Sequence, residues 1–292
     1  MLVSNPDGQQ CSVDQFVFRG CGRGEWGAAL REYVKANNLK QLETHIVFHP
    51  DFYELMLIDA PEVPDEELNE AVKWRVKDFI SSSIENYVVE AFRLPSDAYR
   101  GRMNMIYVAF MKKDAVRDIV ALCEELDLEL VDIGISELAR AALTQSDELN
   151  DLGVAFLHLG EKQGQIDLYE NGHLYLSRGI DTGYSMLNRG APTEGGLSLD
   201  NSDQLDGLAL DVQRSLDYYE SQLGKSGVSR LFLLTPEIIA EDTCESLSQI
   251  LPVKVTPYDL RERYSCDADC SSHMDSCSIA LGAVLGGTDG RA

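Results

Sequence analysis

The most regular stretch of apolar and polar positions lies between residues 63 and 80. Val63-Pro64-Asp65-Glu66-Glu67 sets a proline and three acids where the positive end of a helix dipole favours them. Leu68, Val72, Val76 and Phe79 then recur on one stripe, with Trp74 and Arg75 beside it, until Ser81-Ser82-Ser83 breaks the pattern. The spacing predicts a helix over 64–79 whose apolar stripe faces a core, leaving Trp74 and its polar neighbours for other contacts.

Strand-like runs surround this helix at 44–48, 53–58, 87–94, 103–111 and 128–133, and Val116, Ile119, Val120, Cys123 and Leu126 mark a second helix before the last of them. From Tyr53 the order is β-α-β-β-α-β, the size of a small inserted domain. Upstream, 16–18 reads as the first strand, followed by the Gly20-Cys21-Gly22-Arg23-Gly24 loop and a helix through Trp26, Leu30 and Val34. Downstream come a short helix near 136–143 and strands at 153–159, 165–169 and 173–180. Asn171-Gly172 between the last two signals a hairpin, because both positions tolerate positive φ. Residues 190–203 read as a loop. Leu205, Leu208, Val212, Leu216, Tyr219 and Leu223 predict a long helix closed by Gly224, followed by strand 231–234, helix 238–251, strand 253–255, a loop over 266–277 and a final helix at 279–285.

Charge narrows the function classes. In 292 residues, 25 Lys and Arg against 49 Asp and Glu leave a formal charge of −24. Such a field repels phosphate backbones and anionic lipid, and attracts basic segments. Nucleic-acid binding and direct membrane insertion are therefore not expected. The N-terminus has no signal-peptide pattern, no run of about 18 apolar residues occurs, and seven cysteines suit reduced thiols. A cytoplasmic protein is expected.

No catalytic motif stands out. Cys266, Cys270, His273 and Cys277 are spaced C-x3-C-x2-H-x3-C, which departs from zinc-module spacings, so no metal is expected. The glycines at 20–24 lack the Lys-Ser/Thr of a phosphate loop. His45, His49, His158 and His173 are isolated in sequence and select neither a metal nor a dyad. There is no G-x-S-x-G elbow and no H-E-x-x-H helix.

The run Leu55-Met56-Leu57-Ile58-Asp59-Ala60-Pro61-Glu62-Val63-Pro64-Asp65-Glu66-Glu67-Leu68, continuing through Trp74, Asp78 and Phe79 to Ile80, resembles the MshI family of MSHA type IV pilus biogenesis proteins, within the PilM/FtsA-like actin-fold group. Leu128–133, 172–178, 210–220 and 281–285 carry the same resemblance, which spans about 16–285. It implies an α/β, actin-like (ribonuclease-H-like) ATPase fold of two lobes: 1–52 opening the first lobe, 53–133 an inserted small domain, 134–152 a connecting helix and 153–292 the second lobe. It also implies a cytoplasmic protein, peripheral to the inner membrane, that binds the short tail of a PilN-like inner-membrane protein and works with other pilus assembly proteins. Trp74, Asp78 and Phe79 are the candidate contacts. The phosphate elements of the actin-like family depart from pattern. The first phosphate hairpin is missing on this reading. The second turn would fall at His158-Leu159-Gly160-Glu161-Lys162-Gln163, where His158 stands for the usual Asp and no hydroxyl follows, leaving Gly160 and Gln163 as degenerate loop positions. The glycine pair near adenosine is replaced by Thr235-Pro236-Glu237. The resemblance thus points to a scaffold without catalysis or cofactor, the alternative being a nucleotide-binding ATPase of the same machinery.

Overall fold

The computed structural model describes residues 2–4, 12–22, 24–80, 82–101, 104–145, 153–187, 201–266 and 271–288. They form two compact units. One is built mainly from Glu137–Gly286 with Met1–Phe16 and Ala98–Arg100, the other from Val17–Asp97 and Gly101–Ser136. The second unit is wider than the 53–133 stretch, since it takes in the chain from residue 17.

The chain opens with a hairpin, β1 (Leu2–Ser4) antiparallel to β2 (Ser12–Gln15). This corrects the expectation that no hairpin precedes residue 16; the strands are too short to show an apolar period. The connecting residues 5–11, which include Asp7-Gly8, lie outside the described residues. The strand expected at 16–18 is absent, and Phe18 there is exposed.

The hairpin belongs with the unit built from Glu137–Gly286, and the wider unit contains α1 (Trp26–Ala36), β3 (Glu43–Phe48), β4 (Tyr53–Asp59), α2 (Asp65–Val76), β5 (Tyr87–Arg93), β6 (Met105–Lys112), α3 (Lys113–Glu125) and β7 (Glu129–Ile135). The β-α-β-β-α-β order is present, but the strands divide between two sheets. β4, β6 and β5 form an antiparallel sheet in that order, whereas β7 pairs in parallel with β3. Leu68, Val72 and Val76 of α2 pack on Val89, Ile106, Val108 and Phe110. Ile119 and Cys123 of α3 pack with Phe48, Tyr53 and Met111. Each such apolar side chain contributes about 1.5–3 kcal/mol when fully buried. Phe79 does not join them: α2 ends at Val76 and tightens into a 3-10 turn over Lys77–Phe79. The α-helical period that would carry Phe79 along the stripe stops at Val76.

In the other unit, α4 (Ser136–Ala142) is followed by β8 (Gly153–Leu159), β9 (Gly164–Glu170), β10 (His173–Ile180), α5 (Tyr184–Leu187), α6 (Asn201–Ser221), β11 (Val228–Leu234), α7 (Glu237–Ile250), β12 (Val255–Pro257), β13 (Ser265–Cys266) and α8 (Met274–Thr288). The main sheet runs β10-β9-β8-β11-β12: an antiparallel meander of three strands extended by two parallel ones reached through helical crossovers. The expected hairpin turn is there, with φ of 53° at Asn171 and 76° at Gly172. Gly224, at φ 75°, follows α6 as expected. Strand β12 sits two residues later than 253–255. The expected loop at 266–277 is largely structured: β13 pairs with β2, and α8 starts at Met274, so Cys277 is buried in a helix. Most of the expected 190–203 loop lies outside the described residues, and 201–203 belong to α6.

Candidate functional site

The β8–β9 turn is where the sequence places the second phosphate element. Gly160 N–H donates to the Gln163 carbonyl at 2.9 Å, closing a tight turn. The turn's outer carbonyls are occupied by the chain itself, since Tyr184 N–H donates to Gly160 O at 2.8 Å and Ser185 N–H to Glu161 O at 3.0 Å. Gly183 makes the approach possible: a Cβ there would lie 2.5 Å from Glu161 O. Gly164 is equally confined, with His158 O 2.9 Å from the position a Cβ would take. His158 Nε2 meets Asp275 Oδ2, in the first turn of α8, at 3.3 Å. Burial raises the Asp275 carboxyl, but the His158 bond and charge, the Ser276 N–H and the His273 charge outweigh it and hold that carboxyl below its ordinary range. An imidazole tied to a carboxylate offers no carboxylate oxygen at the end of β8. Beyond β11, Thr235-Pro236 leads into α7, and Pro236 caps that helix without a side-chain bond.

One cluster beside this turn escaped the sequence reading. Arg140 of α4 pairs with Asp167 of β9, both fully buried. Gln165 Nε2 donates to Glu137 Oε1 at 2.7 Å, Asp167 Oδ1 at 2.9 Å and Ser177 Oγ at 2.9 Å, and Tyr169 OH donates to the Glu137 carbonyl at 2.8 Å. Strand alternation puts Gln165, Asp167 and Tyr169 on one face, which is the only signal the sequence held. Elsewhere in this unit, Thr235 Oγ1 and the Tyr258 hydroxyl are buried without a hydrogen-bond partner among the described residues.

The candidate partner residues lie on the outer side of α2 and the turn after it. Trp74 is 75% exposed, with Lys77 Nζ 5.4 Å from its ring centroid, and Phe79 is 64% exposed. Asp78 between them is exposed. Trp74 and Phe79 are the most exposed of the large apolar side chains among the described residues.

The other candidates resolve locally. Gly22 N–H donates to the Glu25 carboxylate at 3.1 Å, ahead of α1. His45 Nδ1 bonds Asp132 Oδ2 at 2.9 Å across the β3–β7 pair, and His49 Nδ1 accepts from Asp51 N–H at 3.3 Å. Cys266 is in β13, His273 in a 3-10 turn and Cys277 in α8, while Cys270 lies outside the described residues. Among the described residues no group of three or more metal-ligating side chains is gathered, and no helix is long and apolar enough to cross a membrane.

No family model matches this sequence, and no curated protein matches it. Solved structures do. A chain of the PilM–PilN type IV pilus biogenesis complex superposes over 97% of this chain and 94% of its own length, at 18% identity and a TM-score of 0.70. A protein of unknown function with an actin-like ATPase fold from Bacteroides thetaiotaomicron matches over 94% and 88%, at 12% identity and a TM-score of 0.50. The fold is that of the actin-like ATPases.

Proposed function

We propose that this chain is a non-catalytic cytoplasmic scaffold of a type IV pilus assembly machine, of the MshI type, which holds the short cytoplasmic tail of a PilN-like inner-membrane protein. One observation carries the reading. The actin-like fold is kept over nearly the whole chain, while the turn that would meet phosphates has its Gly160 N–H taken by the Gln163 carbonyl and carries His158, paired with Asp275, at the end of β8. Those residues do not fit a metal-bound triphosphate. Exposed Trp74 and Phe79, with Asp78, supply contacts for a partner, and the charge of −24 suits a basic tail rather than bare anionic lipid. The second reading, a nucleotide-binding ATPase, is favoured by the presence of the β1–β2 hairpin, whose connection contains Asp7-Gly8.

The test is a titration of the purified chain with synthetic cytoplasmic tails of inner-membrane pilus proteins. Trp74→Ala should weaken binding about tenfold or more while leaving thermal unfolding unchanged, and added salt should weaken it further. Unchanged affinity in that variant moves the contact off α2. Failure of every tail to bind ends the scaffold reading.

A further inference from the structure

The three-stranded sheet of the wider unit has two edges, and they are treated differently. At the β5 edge, Asn69 of α2 covers the backbone: its Oδ1 accepts from Ala91 N–H at 2.8 Å. The β4 edge has no such cover. The alternation of the β4–β6 ladder can be read from Ala60 N–H, which donates to Asn104 O at 2.7 Å one step beyond the last pair, Asp59↔Met105. Residues 54, 56 and 58 therefore bond inward to β6, and the N–H and C=O groups of Leu55, Leu57 and Asp59 point outward. Among the described residues, no hydrogen bond reaches those outward groups.

Natural edge strands are blunted by bulges, prolines or lysines. β4 has none of these: it reads Tyr-Glu-Leu-Met-Leu-Ile-Asp and pairs with β6 over seven residues without a register shift. Its apolar residues 55–58 are half-buried, whereas their neighbours Ile106, Tyr107 and Val108 on β6 are buried. The strand is thus regular, apolar and open along one side, the geometry to which an extended segment adds as a further strand.

The charges at its ends choose the occupant. Glu54 and Asp59 are both exposed and flank the apolar run. A second copy paired antiparallel over this edge would set outward-bonding residues opposite one another, Leu57 facing Leu57 and Asp59 facing Leu55, so neither acid would meet a cation. Two chains of charge −24 also repel each other. We infer that the β4 edge is a β-augmentation site for an extended apolar segment flanked by basic residues, supplied by another protein. This deepens the tail-binding reading and rests on it: the β4 edge takes the backbone of the tail, and Glu54 and Asp59 take its basic ends.

The experiment follows backbone amide exchange in the full-length chain with and without the tail peptides used above. The expected result is slowed exchange at Leu55, Leu57 and Asp59, lost in Leu57→Pro, which removes an outward N–H without touching the β6 ladder. The double variant Glu54→Lys, Asp59→Lys changes only exposed side chains and should weaken tail binding about five- to tenfold. Tail binding that is unaffected by both variants, with protection elsewhere, overturns the edge assignment and leaves the scaffold reading standing. If no tail binds, a heptapeptide alternating Val and Thr between terminal lysines is the probe; no protection of the three amides by it overturns the inference as well. Protection of those amides in the chain alone, with dimer formation abolished by Leu57→Pro, assigns the edge to a second copy and also overturns it.

Discussion

His158 and Asp275 meet across β8 and the start of α8, and the consequence is measurable in pH. The Asp275 carboxyl is held below its ordinary range although burial raises it, because His158, the Ser276 N–H and His273 together outweigh that cost. A carboxyl lowered in the fold stabilises it above the unfolded value, near 4, and loses that contribution as pH falls through the folded value. Asp275→Asn should therefore cost about 1 kcal/mol at neutral pH, discounted for partial exposure. In urea unfolding the gap to the parent should narrow as pH falls below about 4. A gap that stays constant over that range would remove the assigned role. Arg140 and Asp167 differ in kind, being fully buried among Glu137, Gln165 and Ser177. A pair so placed is weak as a source of stability but costly to halve, which fits a device that fixes how α4 lies on β9.

Among elements, α4 and α8 show how close packing depends on a missing side chain. A Cβ at Gly282 would fall on the Ala139 carbonyl oxygen, with the carbonyl carbon 2.7 Å away. Both obstacles are backbone, so neither can rotate aside. Gly282→Ala should destabilise by about 1–3 kcal/mol or more, against the stabilisation of about 1 kcal/mol that alanine brings to a free helix interior. A rise in melting temperature would mean the helices are further apart than described. The same scale explains α2: three buried side chains fix its inner face, while Trp74 on the helix and Phe79 in the 3-10 turn that follows are exposed.

At the scale of the molecule, the actin-like fold brings the β8–β9 turn and the segment after β10 together, and here the chain has closed that turn on itself. With Gly160 N–H taken by the Gln163 carbonyl, and His158 engaged by Asp275, Mg-ATP should give no steady phosphate release above background and no shift in melting temperature. Turnover abolished by Gly183→Ala or by substitution within 161–165 would favour the ATPase reading instead.

Apolar period, turn chemistry and charge were enough for most elements. The Asn171-Gly172 hairpin, the long helix α6 and the order β4-α2-β5-β6-α3-β7 follow from local rules, because their side-chain periods and special φ values are properties of short segments. The acidic balance likewise needed no coordinates. Three things were decided only in three dimensions. The N-terminal hairpin depends on a long-range pairing of β2 with β13, which no local pattern in Ser12–Gln15 announces. β7 left its sequence neighbours for β3, a choice between partners that strand propensity does not make. The His158–Asp275 contact and the buried Arg140–Asp167 pair join residues 117 and 27 apart in sequence, and hydrogen bonding between such residues exists only once packing has excluded water and brought them within reach.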